Sequence, residues 1–232
     1  MSEPEPSGTP SLTKLPLFPL GTVLFPGMLL PLNIFEDRYK ELMRDLLDGP
    51  EPRQFGVIAI KKGRETGIEG VSSLFEVGCT ATVREVERSD QGGYELVSVG
   101  TQRFRLEATD ESRSYLQGDV ELLPEDAGDS AAAGRAAHLV AQAFQGYLDV
   151  LTARGLAQVN VPEVPEEPAL LSYLVAASMI IDLPDRQALL AEPDALSRLT
   201  AERAMLVRET TMLQTLTARP APDLRYAPYS PN

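Results

Sequence analysis

The chain of 232 residues has one cysteine, one histidine, no tryptophan and only four lysines. The single cysteine, Cys79, excludes an internal disulfide framework and a cysteine-based zinc site. On its own it reads as a small buried strand residue. Any histidine-dependent triad would have to use His138, which sits beside Leu139 in a helical stretch and reads as a surface or boundary residue. No apolar run is long enough to span a bilayer. No GxxxxGK[ST] motif supplies a nucleotide-binding loop, and no acidic loop of the EF-hand kind occurs. A basic region is missing too. Residues 1–126 hold 22 acids against 13 bases, and residues 127–232 hold 12 against 8, giving −9 and −4. Phosphate-backbone binding therefore lacks its electrostatic term. The opening MSEPEPSGTPSLTK has neither the basic start nor the apolar centre of a signal peptide, so a cytoplasmic location is expected.

The stretch Leu15–Tyr39, LPLFPLGTVLFPGMLLPLNIFEDRY, organises the rest. Four prolines and two glycines interrupt a dense apolar load, which rules out one long helix or strand and predicts short extended pieces bent around a core. Phe25-Pro26-Gly27-Met28 has the composition of a turn, with proline preset at its first central position. A helix is expected over Glu36–Asp48, with Glu36 and Asp37 at its positive end, closed by Gly49-Pro50.

Strand patterns follow at Gln54–Lys61, Gly78–Glu87, Tyr94–Gly100, Gln102–Ala108 and Tyr115–Leu123. In the second, Cys79, Ala81, Val83 and Glu85 share one side. The third and fourth are expected to break at Gly100, with a bulge or bend there. In Arg103-Phe104-Arg105 the phenylalanine should face in and the arginines out. The glycine-rich loop from Lys62 to Gly70 lacks the ending of a phosphate cradle and reads as a long hairpin connection. Several short strands with one early helix fit a small closed or half-closed barrel. After the linker 124–133 the period changes to 3.6, predicting helices over 131–154, 169–181, 185–191 and 194–217. In the last, Leu199, Leu206 and Leu213 fall seven apart; that stripe suits a bundle core, or else a partner helix. The expected division is a disordered tail over 1–13, a β domain over 14–125, a helical bundle over 131–217 and a second tail over 218–232. The fold class is α+β.

The opening stretch resembles the signature of the Lon protease substrate-binding (N-terminal) domain family, which includes stand-alone bacterial proteins and, distantly, the N-terminal part of cereblon. Phe55–Ile60, Leu74–Cys79 and Gly100–Arg105 also fall where that family's pattern expects them. The resemblance implies a PUA-like pseudo-barrel followed by helices. Full-length Lon proteases add an ATPase and a Ser-Lys protease. Here no lysine follows Lys62, so no dyad lysine is available and the chain is expected not to be an enzyme. No cofactor or metal is implied. What remains is recognition of polypeptide segments, either unfolded proteins or a partner protein, with no role for nucleic acid or membrane and a monomeric or weakly dimeric chain. Such a site needs an exposed apolar groove or sheet edge. Its candidates are Phe25, Met28, Leu29, Leu30, Phe35, Arg38 and Tyr39, with Phe25 and Met28 expected to stand exposed at the turn tip. A PUA-like RNA-binding or small-ligand module is the alternative.

Overall fold

Apolar alternation cut by proline and glycine yields strands in the first half, and 3.6-residue periodicity yields helices in the second. The computed structural model describes residues 11–63, 71–89, 92–156 and 164–215. Its elements are β1 (Leu12–Leu20), β2 (Leu29–Ile34), α1 (Asp37–Asp48), β3 (Gln54–Gly63), β4 (Val71–Leu74), β5 (Val77–Arg88), β6 (Tyr94–Asp110) and β7 (Gln117–Leu122). The helices α2 (Ser130–Ala153), α3 (Pro168–Ser178), α4 (Leu183–Ala191) and α5 (Ala195–Thr215) follow.

Five strands close a ring. β1 pairs antiparallel with β7, β7 with β6, β6 with β5 and β5 with β3. β3 then returns to β1 in parallel, with Leu17 opposite Gly56 and Leu20 opposite Ala59. The 17-residue β6 is the spine. β5 runs along one of its edges, while β2 and β7 share the other, at Tyr94–Val99 and Phe104–Asp110. β4 lies antiparallel to β3, as a hairpin connection requires; most of the expected loop, residues 64–70, lies outside the described residues.

Several expectations change. β6 does not break at Gly100. It runs on through a bulge there: Cys79 faces Arg103 and Ala81 faces Gly100, so the extra residue lies on β6 between Gly100 and Arg103. A Cβ on Gly100 would overlap the Phe25 carbonyl oxygen, so this glycine serves a close approach. A second slip, between Val83 and Glu85, reverses the alternation: Val86 packs on the core and Glu85 is exposed. β1 starts at Leu12, so Leu12 and Thr13 pair with Glu121 and Val120 rather than belonging to a tail. α3 ends at Ser178, three residues before Ile181, because Asp182 caps the next helix by accepting from the Asp185 amide at 2.9 Å. The Ile180 amide near that break donates to the Tyr147 hydroxyl at 3.0 Å. Residues 216–232, which include the end of the expected last helix and the expected tail over 218–232, lie outside the described residues.

Inside the ring Leu15, Leu17, Ile58, Phe104 and Val120 pack together; on the opposite face Phe18, Phe55, Val57, Cys79 and Leu96 pack under Leu42 and Met43 of α1. The helical core holds Val140, Phe144, Leu148, Leu199 and Leu206, so most of the leucine stripe is consumed inside the bundle, with Leu213 half-buried beside it. A third cluster joins the halves: Val23, Phe25, Ala59 and Val77 meet Tyr173, Ala176, Leu189 and Leu190. Arg103 points away from the barrel interior yet is 2% exposed, not a surface residue, because the end of α4 covers it. Arg105 stays exposed and pairs with Glu121 at 3.0 Å. Phe104 faces in and is fully buried.

Candidate functional site

The prolines of the opening stretch decide which side chains reach solvent. Pro26-Gly27 makes the turn: Gly27 has φ +82 and the Met28 amide donates to the Phe25 carbonyl at 3.2 Å. The turn does not project. Its backbone is bonded to β6, Gly27 N–H to the Gly100 carbonyl at 2.8 Å and Gly100 N–H to the Met28 carbonyl at 2.9 Å. Phe25 is 1% exposed, its ring 6.2 Å from that of Tyr173 on α3. Met28 is half-buried between the barrel and the helices. The expectation that Phe25 and Met28 form an exposed tip is therefore corrected: the helical half covers them. Leu30 is half-buried on the core side of β2.

Leu29 and Phe35 behave otherwise. They bracket the exposed row of β2 and are 69% and 66% exposed. The Met28 carbonyl bonds to β6, so residues 28, 30, 32 and 34 turn their backbone groups toward β6. Leu29, Pro31 and Asn33 turn theirs to the opposite edge, where no strand pairs among the described residues.

Arg38 and Tyr39 lie apart from that strand face. They line a cleft of about 590 Å³ between the start of α1, Ser73–Glu76, and the segment leading from β6 to β7. Its lining mixes Phe75, Leu106 and Leu116 with charges of both signs, Arg38, Glu76, Glu111 and Arg113. Tyr39 is buried, stacked on Phe18 with centroids 4.0 Å apart. The Arg38 guanidinium carbon lies 4.5 Å from the Tyr39 ring centre, and Arg38 also pairs with Glu36 at 3.0 Å. The far wall is tied to α1 by Asp45, which accepts from Arg113 at 2.7 Å and from the Tyr115 hydroxyl at 2.6 Å. Burial, with help from Asp45, pushes the Tyr115 phenol up to about 12.

The seven predicted site residues thus divide: Leu29 and Phe35 are exposed, Arg38 and Tyr39 line the cleft, Phe25 and Met28 pack between the halves, and Leu30 packs on the core side of β2. Among the described residues no group of three or more His, Cys, Asp or Glu side chains could hold a metal. His138 is exposed and hydrogen-bonded to Gln142 at 3.0 Å. Sequence reasoning missed the outer face of β5 and β6 beside β2, where Glu85, Glu87, Glu95, Val97 and Val99 align. The signal was present as paired alternation in VREVE and YELVSV, but only the register shows that the two runs are neighbours.

The chain is 25% identical over 204 residues to Lon protease 2 of Syntrophobacter fumaroxidans, covering 87% of this chain and 25% of that protein. It is 29% identical over 207 residues to Lon protease of Paraburkholderia phytofirmans, covering 85% and 25%. The chain thus spans about a quarter of the length of these curated relatives. Among solved structures it resembles a Lon N-terminal domain protein from Xanthomonas campestris, with TM-score 0.58 and 25% identity, covering 83% of this chain and 98% of that one. The N-terminal domain of the Mycobacterium avium complex Lon protease shares the fold, with TM-score 0.61, 20% identity, and coverage of 86% and 98%. The barrel, the helices and the proline-broken opening stretch are thus accounted for together: residues 14–208 match the ATP-dependent protease La (LON) substrate-binding domain, and the chain belongs to that family.

Proposed function

We propose that this chain binds polypeptide segments, the exposed apolar stretches of unfolded proteins or a segment of a partner protein, and does not itself cut them. In this reading it is an adaptor in protein quality control. The barrel, residues 14–125, does the recognising, and the helices, residues 131–217, support it. The observation that carries the reading is the exposure of Leu29 and Phe35 along a strand with an unpaired edge. Large apolar side chains beside unpaired backbone groups suit an extended chain. The cleft beside Arg38 and Tyr39 offers a second, mixed surface close to the same barrel.

The test uses a permanently unfolded probe, reduced and carboxymethylated α-lactalbumin, in fluorescence anisotropy. The native chain should bind it. Leu29→Asp together with Phe35→Asp should weaken binding at least about tenfold, the loss expected when two apolar anchors are made charged. Circular dichroism should show the variant folded. A probe that does not bind, or that binds the double variant equally well, overturns the reading.

A further inference from the structure

Register fixes the composition of the outer face formed by β5, β6 and β2. Asn33, Glu95 and Glu87 lie side by side in one row; Pro31, Val97 and Glu85 in the next; Leu29, Val99 and Thr82 in the third. Neighbours across such rows stand about 5 Å apart. The face therefore grades from apolar at Leu29 to acidic at Asn33. Leu29, Pro31, Asn33, Glu85, Glu87 and Glu95 are exposed, and Val97 and Val99 are half-buried. None of these positions is basic. Glu85, Glu87 and Glu95 form no ion pair among the described residues.

The edge beside this face is open as well. The backbone groups of Leu29, Pro31 and Asn33 turn away from β6 and have no hydrogen-bond partner among the described residues. An unpaired edge is a template for another strand. Pro31 has no N–H, so the edge offers two donors, from Leu29 and Asn33, and three carbonyl acceptors. An edge interrupted in this way pairs weakly, which fits a guest that must come and go and guards against edge-to-edge association.

We propose that β2 accepts an extended polypeptide segment as an added strand, and that the preferred segment alternates apolar side chains with Lys or Arg. Its backbone bonds to Leu29 and Asn33. Its apolar side chains fall on the core-side face, beside the half-buried Leu30 and Leu32. Its cationic side chains lie with their stems along the apolar rows and their charges toward Glu95, Glu87 and Glu85. The inference rests on the polypeptide-binding reading and adds to it the mode of binding and the class of segment. The charge of the face selects the guest: three carboxylates without a partner are offset by cations and repel an acidic chain.

Fluorescence anisotropy with labelled peptides of about 12 residues tests this. Three share a Val/Tyr frame and carry Lys, Gln or Glu at alternate positions; a fourth is the Lys peptide N-methylated at about six central amides. At low salt the Lys peptide should bind about tenfold tighter than the Gln peptide, from an ion pair with Glu95 and the longer-range attraction of Glu85 and Glu87 one strand further on. The Glu peptide should bind most weakly. The gap between Lys and Gln should close near about 0.5 M salt. Combining Glu85→Gln, Glu87→Gln and Glu95→Gln should narrow it to within about twofold. N-methylation should abolish binding. Equal affinity for the Lys and Gln peptides, a preference that survives the triple substitution, or undiminished binding of the N-methylated peptide would each overturn the proposal. If the unfolded α-lactalbumin probe binds while the Lys and Gln peptides do not differ, this inference fails alone. If neither the probe nor any peptide binds, the polypeptide-binding reading fails with it.

Discussion

Arg103 of β6 donates from Nη1 to the carbonyl of Leu190, 3.1 Å away at the end of α4, so a barrel side chain caps a helix of the other half. The same guanidinium reaches the carbonyls of Glu192 and of Pro193, the latter at 3.1 Å. α4 has no basic residue in its own last turn. Arg103 therefore supplies both the donors and the positive charge that a helix C-terminus needs. Three carbonyls lose their donor at once if it is removed. Arg103→Ala should cost about 3 kcal/mol or more, measured as the shift in urea unfolding followed by circular dichroism. Arg103→Lys should recover less than half of that, because one ammonium cannot span three carbonyls. A loss below about 0.5 kcal/mol for the alanine variant would show that the contact is incidental.

Cys79 gives an independent readout of barrel opening. It is the only thiol, is completely buried and donates to the Thr80 carbonyl at 3.4 Å. Burial pushes the thiol up to about 12, offset in part by the Thr101 backbone and by Arg103. Only the thiolate reacts quickly. At pH 8 an aromatic disulfide reagent should label the native protein at least about a thousandfold more slowly than the urea-unfolded protein. Labelling within about tenfold of the unfolded rate would mean that the ring opens readily.

Glu202 makes stability depend on pH in the direction opposite to most carboxylates. It is fully buried on α5, and neither carboxyl oxygen has a hydrogen-bond partner. Burial holds its pKa well above the ordinary carboxylate range, against the pull of Arg198. The native state therefore keeps a proton that the unfolded state has released above about pH 4.3. The group's contribution is full below that value and declines as pH rises toward the folded pKa. Glu202→Gln removes the titration. Its stability should vary less between pH 5.5 and 8 than the native chain's. At pH 8 the gain should approach about 1.4 kcal/mol for each unit separating the two pKa values. Parallel urea-midpoint profiles for the two proteins would refute the assignment.

What could be read from the sequence followed from local rules. Proline and glycine punctuation, period-2 alternation and the later 3.6 period depend on neighbours in the chain, and they place α1, β3, β5 and α2 within a few residues. What could not be read followed from contacts between distant segments. The bulge of β5 between Val83 and Glu85 depends on β6 and redirects Val86 and Glu85. Arg103 reads as a surface residue until α4 covers it. Glu125 stays exposed, yet it accepts from the buried Arg198 at 2.8 Å and also from the Tyr173 hydroxyl, joining the linker to α3 and α5, which no local pattern announces. The candidate site divided along this line. Leu29 and Phe35 are exposed because of strand parity, a local property, whereas Phe25 is buried because helices more than a hundred residues away fold over it.

Phe25 and Leu29 lie four residues apart and should respond oppositely to substitution. Phe25 is sealed among Val23, Ala59, Tyr173 and Leu189, so Phe25→Ala opens a cavity between the halves. Its cost should be about 3–4 kcal/mol, in the range of buried phenylalanine truncations. It also removes the anchor that holds the Pro26-Gly27 turn against Gly100, so binding by Phe25→Ala should fall only as the folded fraction falls. Leu29 is mostly in solvent, so Leu29→Asp should change stability by no more than about 0.5 kcal/mol while weakening capture of the unfolded probe. Urea midpoints and anisotropy on the two single variants separate the roles. If Leu29→Asp destabilises the chain as much as Phe25→Ala, then Leu29 is a packing residue and β2 loses its claim as a docking strand.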